Sequence, residues 1–146
     1  MNMRATSSKI AAALAALLAC AAPGLAQQAA PGRIALELNK LEPAGPACRA
    51  YLALRSGLAA RLETLTLDLV LFDGDGVVLR RVAVEAGPLR AGKVAVRAFD
   101  MAELNCAALG RVLLNGVLAC RDADGAREGC LDLIDVSSRA AAPLID

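Results

Sequence analysis

A strict alternation of leucine with other residues is the feature that most constrains this chain. The segment at 62–72 reads LETLTLDLVLF and repeats leucine at every second position, at Leu65, Leu67, Leu69 and Leu71. Because successive side chains of a β-strand point to opposite faces, this spacing predicts a strand with one buried face. The DGDG run at 73–76 tolerates the backbone angles of a tight turn and predicts a hairpin to the next strand.

Similar segments recur at intervals of roughly ten residues. The predicted strands run from Arg33 to Asn39, Cys48 to Arg55, Leu62 to Phe72, Val77 to Glu85, Lys93 to Phe99, Arg111 to Cys120 and Leu131 to Val136. In the fifth strand we expect Val94, Val96 and Ala98 to face inward, with Lys93 and Arg97 facing outward. A bulge is predicted at Asn115-Gly116.

Two connecting segments complete the secondary-structure prediction. The run LEPAGPA at 41–47 holds two prolines and a glycine and predicts a loop. Asp100 and Glu103 have the spacing of a helix capping box, so a short helix is predicted over 101–109. The long helix that a βαβ unit needs is missing. The prediction is therefore an all-β, immunoglobulin-like antiparallel β-sandwich of about seven strands with one short helix.

The first 26 residues have the three parts of a secretory signal peptide. Arg4 and Lys9 are positively charged, an uncharged stretch follows at 10–22, and Gly24-Leu25-Ala26 offers a small-x-small cleavage site. The predicted organisation is a signal peptide at 1–26, a linker at 27–32, the β-sandwich domain at 33–136 and a flexible C-terminal tail at 137–146. The stretch at 10–22 is too short to span a bilayer as a helix. The protein is expected to be periplasmic or secreted.

Cys20 leaves an alternative open. Leu17-Leu18-Ala19-Cys20 resembles a bacterial lipobox, in which the cysteine carries the lipid and becomes the first residue. In that case the protein is anchored to a membrane, without a spanning helix.

The other four cysteines are an even set, which in an exported protein predicts two disulfides. We favour the pair Cys120–Cys130, because the loop between them is short, polar and rich in turn residues. Cys48–Cys106 then follows by elimination. No two cysteines have the Cys-x-x-Cys spacing that is typical of zinc and redox sites, so neither kind of site is predicted.

Composition excludes several kinds of function. The chain has no histidine, which removes the commonest metal ligand and the usual general base near neutral pH. Sixteen basic residues against 15 acidic ones, with 2% aromatic residues, argue against nucleic-acid binding. Asp-x-Asp-Gly occurs at Asp73/Asp75 and at Asp122/Asp124, but neither stretch supplies the further ligands of a calcium loop, and turn chemistry explains both. No cofactor and no metal site is predicted.

The sequence also offers a candidate basic patch across two strands. Its members are Arg80, Arg81, Arg90, Lys93 and Arg97. Such a patch could meet an acidic partner or an anionic lipid, whereas solvated strand faces are the usual explanation.

The run LTLDLVLFDGDGVVLRRVAVEAGPLRAGKVAVRAFD resembles the core of bacterial exported immunoglobulin-like domains of the FxLYD type. In those domains a strand ends in an aromatic residue, an Asp-Gly turn follows, and a Pro/Gly turn leads to the next strand. The chain also resembles small uncharacterised exported bacterial proteins through ELNKLEP, CRAYL, GRVLLN and its four cysteines. The resemblance implies a sandwich fold and assigns no catalytic residue.

The expected function is that of an exported, non-catalytic binding or assembly module. It would meet a periplasmic or envelope protein through strand edges or loops. A membrane is expected as a partner only if Cys20 is lipidated. The alternatives are a lipid-anchored envelope protein and an enzyme that works through carboxylates or a bound cation. Convergence of three or more of the turn and strand aspartates (Asp73, Asp75, Asp122, Asp124, Asp132 and Asp135) would favour the enzyme.

Overall fold

Two packed β-sheets make up the computed structural model, which describes residues 28–146. The predicted signal peptide and Cys20 lie outside the described residues. The strands are β1 Ile34–Ala44, β2 Ala47–Ser56, β3 Thr64–Phe72, β4 Val78–Glu85, β5 Val94–Met101, β6 Arg111–Asp122, β7 Gly125–Ala126, β8 Ile134–Ser138 and β9 Leu144–Ile145. Two 3₁₀ turns, Cys106–Ala108 and Leu131–Leu133, complete the described part of the chain.

The strands divide into a four-stranded and a five-stranded sheet. The first has the order β5-β2-β1-β8, and the second has the order β4-β3-β6-β7 with β9 also paired to β6. Most pairs are antiparallel, but β8 runs parallel to β1 and β9 runs parallel to β6. The β-sandwich is therefore as predicted, and its sheets are mixed where a purely antiparallel arrangement was expected.

The core lies between the sheets and is built mainly from leucine. All four alternating leucines of β3 are buried, at Leu65, Leu67, Leu69 and Leu71. Alternate residues of β1 and β2 cover them from the other sheet: Ile34, Leu36, Leu38, Leu52 and Leu54. The period-two pattern thus identified the buried face of the central strands correctly.

Two segments expected to lack strand structure belong to strands. β1 continues to Ala44 through the predicted loop, and Gly45 with Pro46 forms a tight turn into β2. Gly45 has a φ of 60°, a conformation that glycine adopts without steric cost. Pro43 pairs with Cys48 near the end of the hairpin, where β1 has β2 on one side and no described strand on the other, since β8 pairs only with residues 34–38. Proline, which lacks an N–H, is tolerated at such an open edge.

The C-terminal segment at 137–146 is a second such case and is not a loose tail. Ser137 and Ser138 belong to β8, and Leu144 is 5% exposed where β9 pairs with β6. At the other end of the domain, part of the predicted linker is attached to the sandwich. Gly32 N–H donates a hydrogen bond to the carbonyl of Gly57 at 2.8 Å.

The short helix predicted over 101–109 is also absent. β5 extends to Met101, and Asp100 accepts hydrogen bonds from Arg49 on the neighbouring strand, so Asp100 caps no helix. A single 3₁₀ turn forms instead at 106–108, where Asn105 Oδ1 accepts from Ala107 N at 2.9 Å. Pairing of Met101 with Cys48 favours strand over helix at this point.

The facing of β5 is the reverse of the prediction. Val94 and Val96 are exposed, whereas Met101 is 2% exposed and Phe99 is half-buried against the core. Arg97 shares the inward side with Phe99 and Met101. Every second residue of a strand lies on the same face, so Phe99 and Met101 share a face and Val94 and Val96 share the other. Burial of the two larger apolar side chains therefore turns the valines outward.

Both disulfides join connecting segments to strands. Cys48 of β2 is bonded to Cys106 in the 3₁₀ turn, and Cys120 of β6 is bonded to Cys130. This is the pairing that the sequence analysis favoured. Cys120–Cys130 links the end of β6 to the segment that enters β8, so it ties the five-stranded sheet to the four-stranded one.

Bulges shape β6. The register with β3 shifts between Asp68 and Leu69, where Asn115 is the extra residue, and again between Thr66 and Leu67, where Leu118 is extra. The bulge predicted at Asn115-Gly116 is therefore present, accompanied by a second one.

Candidate functional site: an open strand edge beside a basic cleft

The edge strand β5 presents exposed apolar side chains to solvent. Val94 is 53% exposed, Val96 is 58% exposed, and Ala98 next in the row is also exposed. We call these three residues the β5 edge surface. On the neighbouring strand, β2 places the buried Ala53 opposite Val96 and the half-buried Tyr51 opposite Ala98.

The backbone of the same residues faces the open edge. Ser56 N–H donates to the carbonyl of Lys93 at 2.9 Å, in register with the pairing of β2 and β5. In an antiparallel pair the residues bonded to the neighbour alternate with residues whose N–H and C=O point the other way. Lys93, Ala95 and Arg97 therefore bond to β2. The peptide groups of the β5 edge surface point away from the sheet.

Beside the β5 edge surface lies a cleft lined by cations. Four basic side chains border a cavity of about 360 Å³, together with Pro88, Val94 and Ala95. We call Arg61, Arg90, Lys93 and Arg97 the basic cleft. Arg61 reaches it from the loop after β2, which is held to the β4–β5 connection by the bridge between Leu62 and Leu89.

Little negative charge balances the basic cleft. Arg61 Nη2 lies 3.1 Å from Glu63 Oε2. Arg90, Lys93 and Arg97 form no ion pair within 4.0 Å among residues 28–146. Glu85 is another anion nearby, since the charge of Arg97 helps to lower its pKa. Four cations thus face two carboxylates, and the cleft holds net positive charge beside an apolar surface.

Arg97 lies where the basic cleft meets the strand edge. Its guanidinium donates to the carbonyl of Val96 at 3.1 Å and to the carbonyl of Pro88 at 2.9 Å. These bonds use two of the five guanidinium N–H donors. Glu85 supports the β4–β5 connection that carries Pro88, since its Oε1 accepts a hydrogen bond from Gly87 N at 2.9 Å.

Several groups shift the pKa of Glu85. Burial acts most strongly and raises it. Hydrogen bonds from Thr66, Gly87 and Leu65, with the nearby charge of Arg97, outweigh burial and leave the pKa below its usual value. Glu85 therefore stays charged and holds the connection that carries Pro88.

The structure divides the basic patch considered from sequence. Arg81 belongs to another site, and Arg80 donates to the carbonyl of Ala102 at 2.8 Å. Arg90, Lys93 and Arg97 do converge. Arg61 joins them from a distant part of the sequence, and no pattern in the sequence relates it to β5.

The aspartate turns lie far from one another. Asp73 Oδ1 accepts from the N–H groups of Asp75 and Val77, and Asp122 Oδ1 accepts from Asp124 N, so both pairs stabilise their own turns. The two turns lie at opposite ends of β6, whose 12 residues span roughly 35 Å. Over 28–146 no three His, Cys, Asp or Glu side chains are placed to hold a metal ion together.

A buried carboxylate lies on the outer side of the five-stranded sheet. Asp68 is 2% exposed and accepts two hydrogen bonds from Arg81 and one from Asn115, each at 2.6 Å. These bonds, first those of Arg81, lower the pKa of Asp68. Both carboxylate oxygens accept hydrogen bonds within the protein, so this group supports the sheet.

In the part of the chain that the structure covers, no helix is both long and apolar enough to cross a membrane. Neither a family model nor a curated protein sequence matches the chain significantly. A solved structure of IrmA from Escherichia coli is similar, with 14% sequence identity and a TM-score of 0.50. The match covers 71% of this chain and 90% of that one, and at such identity it concerns the fold alone.

Proposed function

We propose that the protein is an exported binding or assembly module without catalytic activity, which meets a periplasmic or envelope protein through the β5 edge surface. One observation carries this proposal: Val94 and Val96 are each more than half exposed on a strand whose outer edge pairs with no other strand among the described residues. Added strands and docked proteins both use such edges.

Export is supported by the N-terminal sequence and by the chemistry of the cysteines. Residues 1–26 have the pattern of a signal peptide, and two disulfides are compatible with an oxidising compartment outside the cytosol. The resemblance to exported immunoglobulin-like domains of the FxLYD type belongs to the same proposal. The intact mass of the delivered protein tests the route: a chain starting at Gln27 supports cleavage after Ala26, and an acylated N-terminal Cys20 contradicts it.

The absence of catalysis rests on what the chain lacks and on where its carboxylates lie. Histidine is missing from the whole sequence, and the two aspartate turns are separated by the length of β6. Asp68, the buried carboxylate, is bonded to Arg81 and Asn115.

Position-specific crosslinking tests the proposed surface. A photo-crosslinking residue in place of Val96, in cells that produce the protein, is expected to give one discrete adduct. Val94→Lys in the same chain should lower its yield at least about tenfold, because a charge then lies on the apolar contact. Val78→Lys is the matched control, since Val78 is 57% exposed on β4, an edge strand of the five-stranded sheet. An adduct insensitive to Val94→Lys, or lost in Val78→Lys, contradicts the proposal.

A further inference from the structure

β5 combines two features that a binding partner could use together. Its outer backbone edge is open, and its residues Val94, Ala95 and Arg97 help to line the basic cleft. A strand added to β5 would pair with the outward peptide groups of Val94, Val96 and Ala98. Its side chains would alternate between the two faces of the sheet. One set would continue the exposed apolar row, and the other would lie on the side of Ala95 and Arg97, in the basic cleft.

The charges specify the chemistry of the second set. Three of the four cations in the basic cleft have no ion pair among residues 28–146, and Arg97 has guanidinium donors left over. Carboxylates accept charge-assisted hydrogen bonds from such groups, and guanidinium binds them with two parallel bonds. Acidic side chains are therefore favoured on this side and basic ones are repelled.

Arg97 also contacts the open edge itself. Its bond to the carbonyl of Val96 occupies an acceptor that an added strand needs. A neutral strand would displace the guanidinium without replacing that bond. A strand with a carboxylate beside Arg97 offers a stronger acceptor in exchange, so the guanidinium can leave the carbonyl free. The same contact protects the edge from unspecific pairing when no partner is present.

We infer that the β5 edge surface and the basic cleft together bind an extended segment of a partner protein in which acidic residues alternate with apolar ones. The acidic side chains occupy the cleft, and the apolar ones lie against Val94 and Val96. This inference rests on the proposed function, because it takes the partner to β5, and it adds the partner's chemistry.

Synthetic peptides test the inference directly. The probe is an eight-residue peptide alternating valine and glutamate, compared with a matched peptide alternating valine and glutamine. The oxidised protein is expected to bind the Val/Glu peptide at least tenfold more tightly at low salt, and the advantage should shrink as salt screens the charges. Equal binding of the two peptides, or no binding of either, overturns the inference.

Variants assign the effect to the cleft. Arg90→Gln should lower affinity for the Val/Glu peptide by about threefold, the size expected for an exposed ion pair. It should leave the Val/Gln peptide unchanged. Arg111→Gln changes the net charge equally on the other sheet, at the end of β6 that pairs with Phe72 and lies away from Arg61, and is expected to have no effect beyond weak screening. Equal losses in the two variants would show that only the overall charge matters, and would overturn the inference.

Arg97→Ala tests whether Arg97 shields the edge by bonding to the Val96 carbonyl, which we call its guard role, or only attracts acidic side chains. Without the guanidinium on the Val96 carbonyl, the Val/Gln peptide should bind more tightly than to the unmodified protein, so the preference for glutamate falls. No gain for the Val/Gln peptide overturns the guard role.

Two further measurements separate this inference from the proposed function and from a lipid ligand. If both peptides bind equally and Val94→Lys weakens both, the β5 surface stands and the acidic preference fails. If Val94→Lys weakens neither peptide, binding at β5 fails as well. Vesicles of anionic phosphatidylglycerol should not compete with the Val/Glu peptide. Competition that neutral phosphatidylcholine vesicles do not reproduce would point to a membrane ligand and overturn the inference.

Discussion

Arg81 binds both carboxylate oxygens of Asp68 at 2.6 Å across the outer face of the five-stranded sheet. The two partners differ greatly in exposure: the side chain of Arg81 is 63% exposed and that of Asp68 is 3% exposed. Asn115, in the bulge of β6, donates a third bond to the same carboxylate. The pair is therefore a buried anion covered by a solvated cation.

This asymmetry predicts unequal effects of removing either partner. Arg81→Ala leaves a buried carboxylate with Asn115 as its remaining side-chain donor, whereas Asp68→Thr returns an exposed guanidinium to water. Threonine also suits a strand position next to Thr66. We expect Arg81→Ala to lower the urea midpoint clearly more than Asp68→Thr. A larger loss in Asp68→Thr would contradict the view that Asp68 is the costly partner.

The loss of folding stability at acidic pH should depend on the same carboxylate, Asp68. Hydrogen bonds from Arg81 and Asn115 lower the pKa of Asp68, so the folded protein binds fewer protons there than the unfolded chain does. The resulting stabilisation is present above the ordinary pKa of about 3.9 and is lost as the pH falls through the lower folded value. Unfolding free energies measured from pH 6 to pH 2 should fall less steeply at the acid end in Asp68→Thr. Identical slopes would contradict this assignment.

Glu37 acts in the same direction through a different balance. Burial raises its pKa most strongly, but hydrogen bonds from Asn39 and Arg139 outweigh burial and leave it lowered. Some acid sensitivity should therefore remain in Asp68→Thr. If the unfolding free energy of Asp68→Thr did not fall at all between pH 6 and pH 2, the contribution of Glu37 would be contradicted.

Sequence patterns predicted the sandwich where one face carries only leucine. In β3 every inward position is leucine, so the alternation and the buried face agree. In β5 both parities carry apolar residues, and the pattern alone does not decide between them. Phe99 and Met101 are larger than the valines, and their burial decided the facing against the simple count of valines.

The candidate site was predictable in part. Arg90, Lys93 and Arg97 lie within eight residues of one another and were grouped from sequence. Arg61 joins them through the pairing of Leu62 with Leu89, a contact between distant segments. The open edge of β5 depends on sheet order, and strand spacing does not specify which strand lies at an edge.

A close backbone contact next to the β3–β4 hairpin gives a stability prediction. A Cβ added to Gly110 would lie 2.1 Å from the carbonyl oxygen of Asp73 and 2.7 Å from Gly74 N. These are backbone atoms of the turn and cannot move away as the end of a flexible side chain could, so Gly110→Ala should destabilise by roughly 1–3 kcal/mol. Gly74→Ala is the control in the same turn, because an added Cβ there meets nothing within 4 Å. Thermal unfolding that ranks the two variants equally would refute the contact.

The two disulfides should contribute unequally, since they close loops of different length. The sequence separations are 58 residues for Cys48–Cys106 and 10 for Cys120–Cys130. Loop-closure entropy then predicts stabilisation of about 4 and about 3 kcal/mol respectively. Replacing both cysteines of one bridge by alanine should therefore lower the urea midpoint more for the first bridge. Adding reductant to either double variant should remove only the contribution of the bridge that remains. A greater loss from the Cys120–Cys130 pair would mean that packing around the sulfurs, and not chain entropy, sets their contribution.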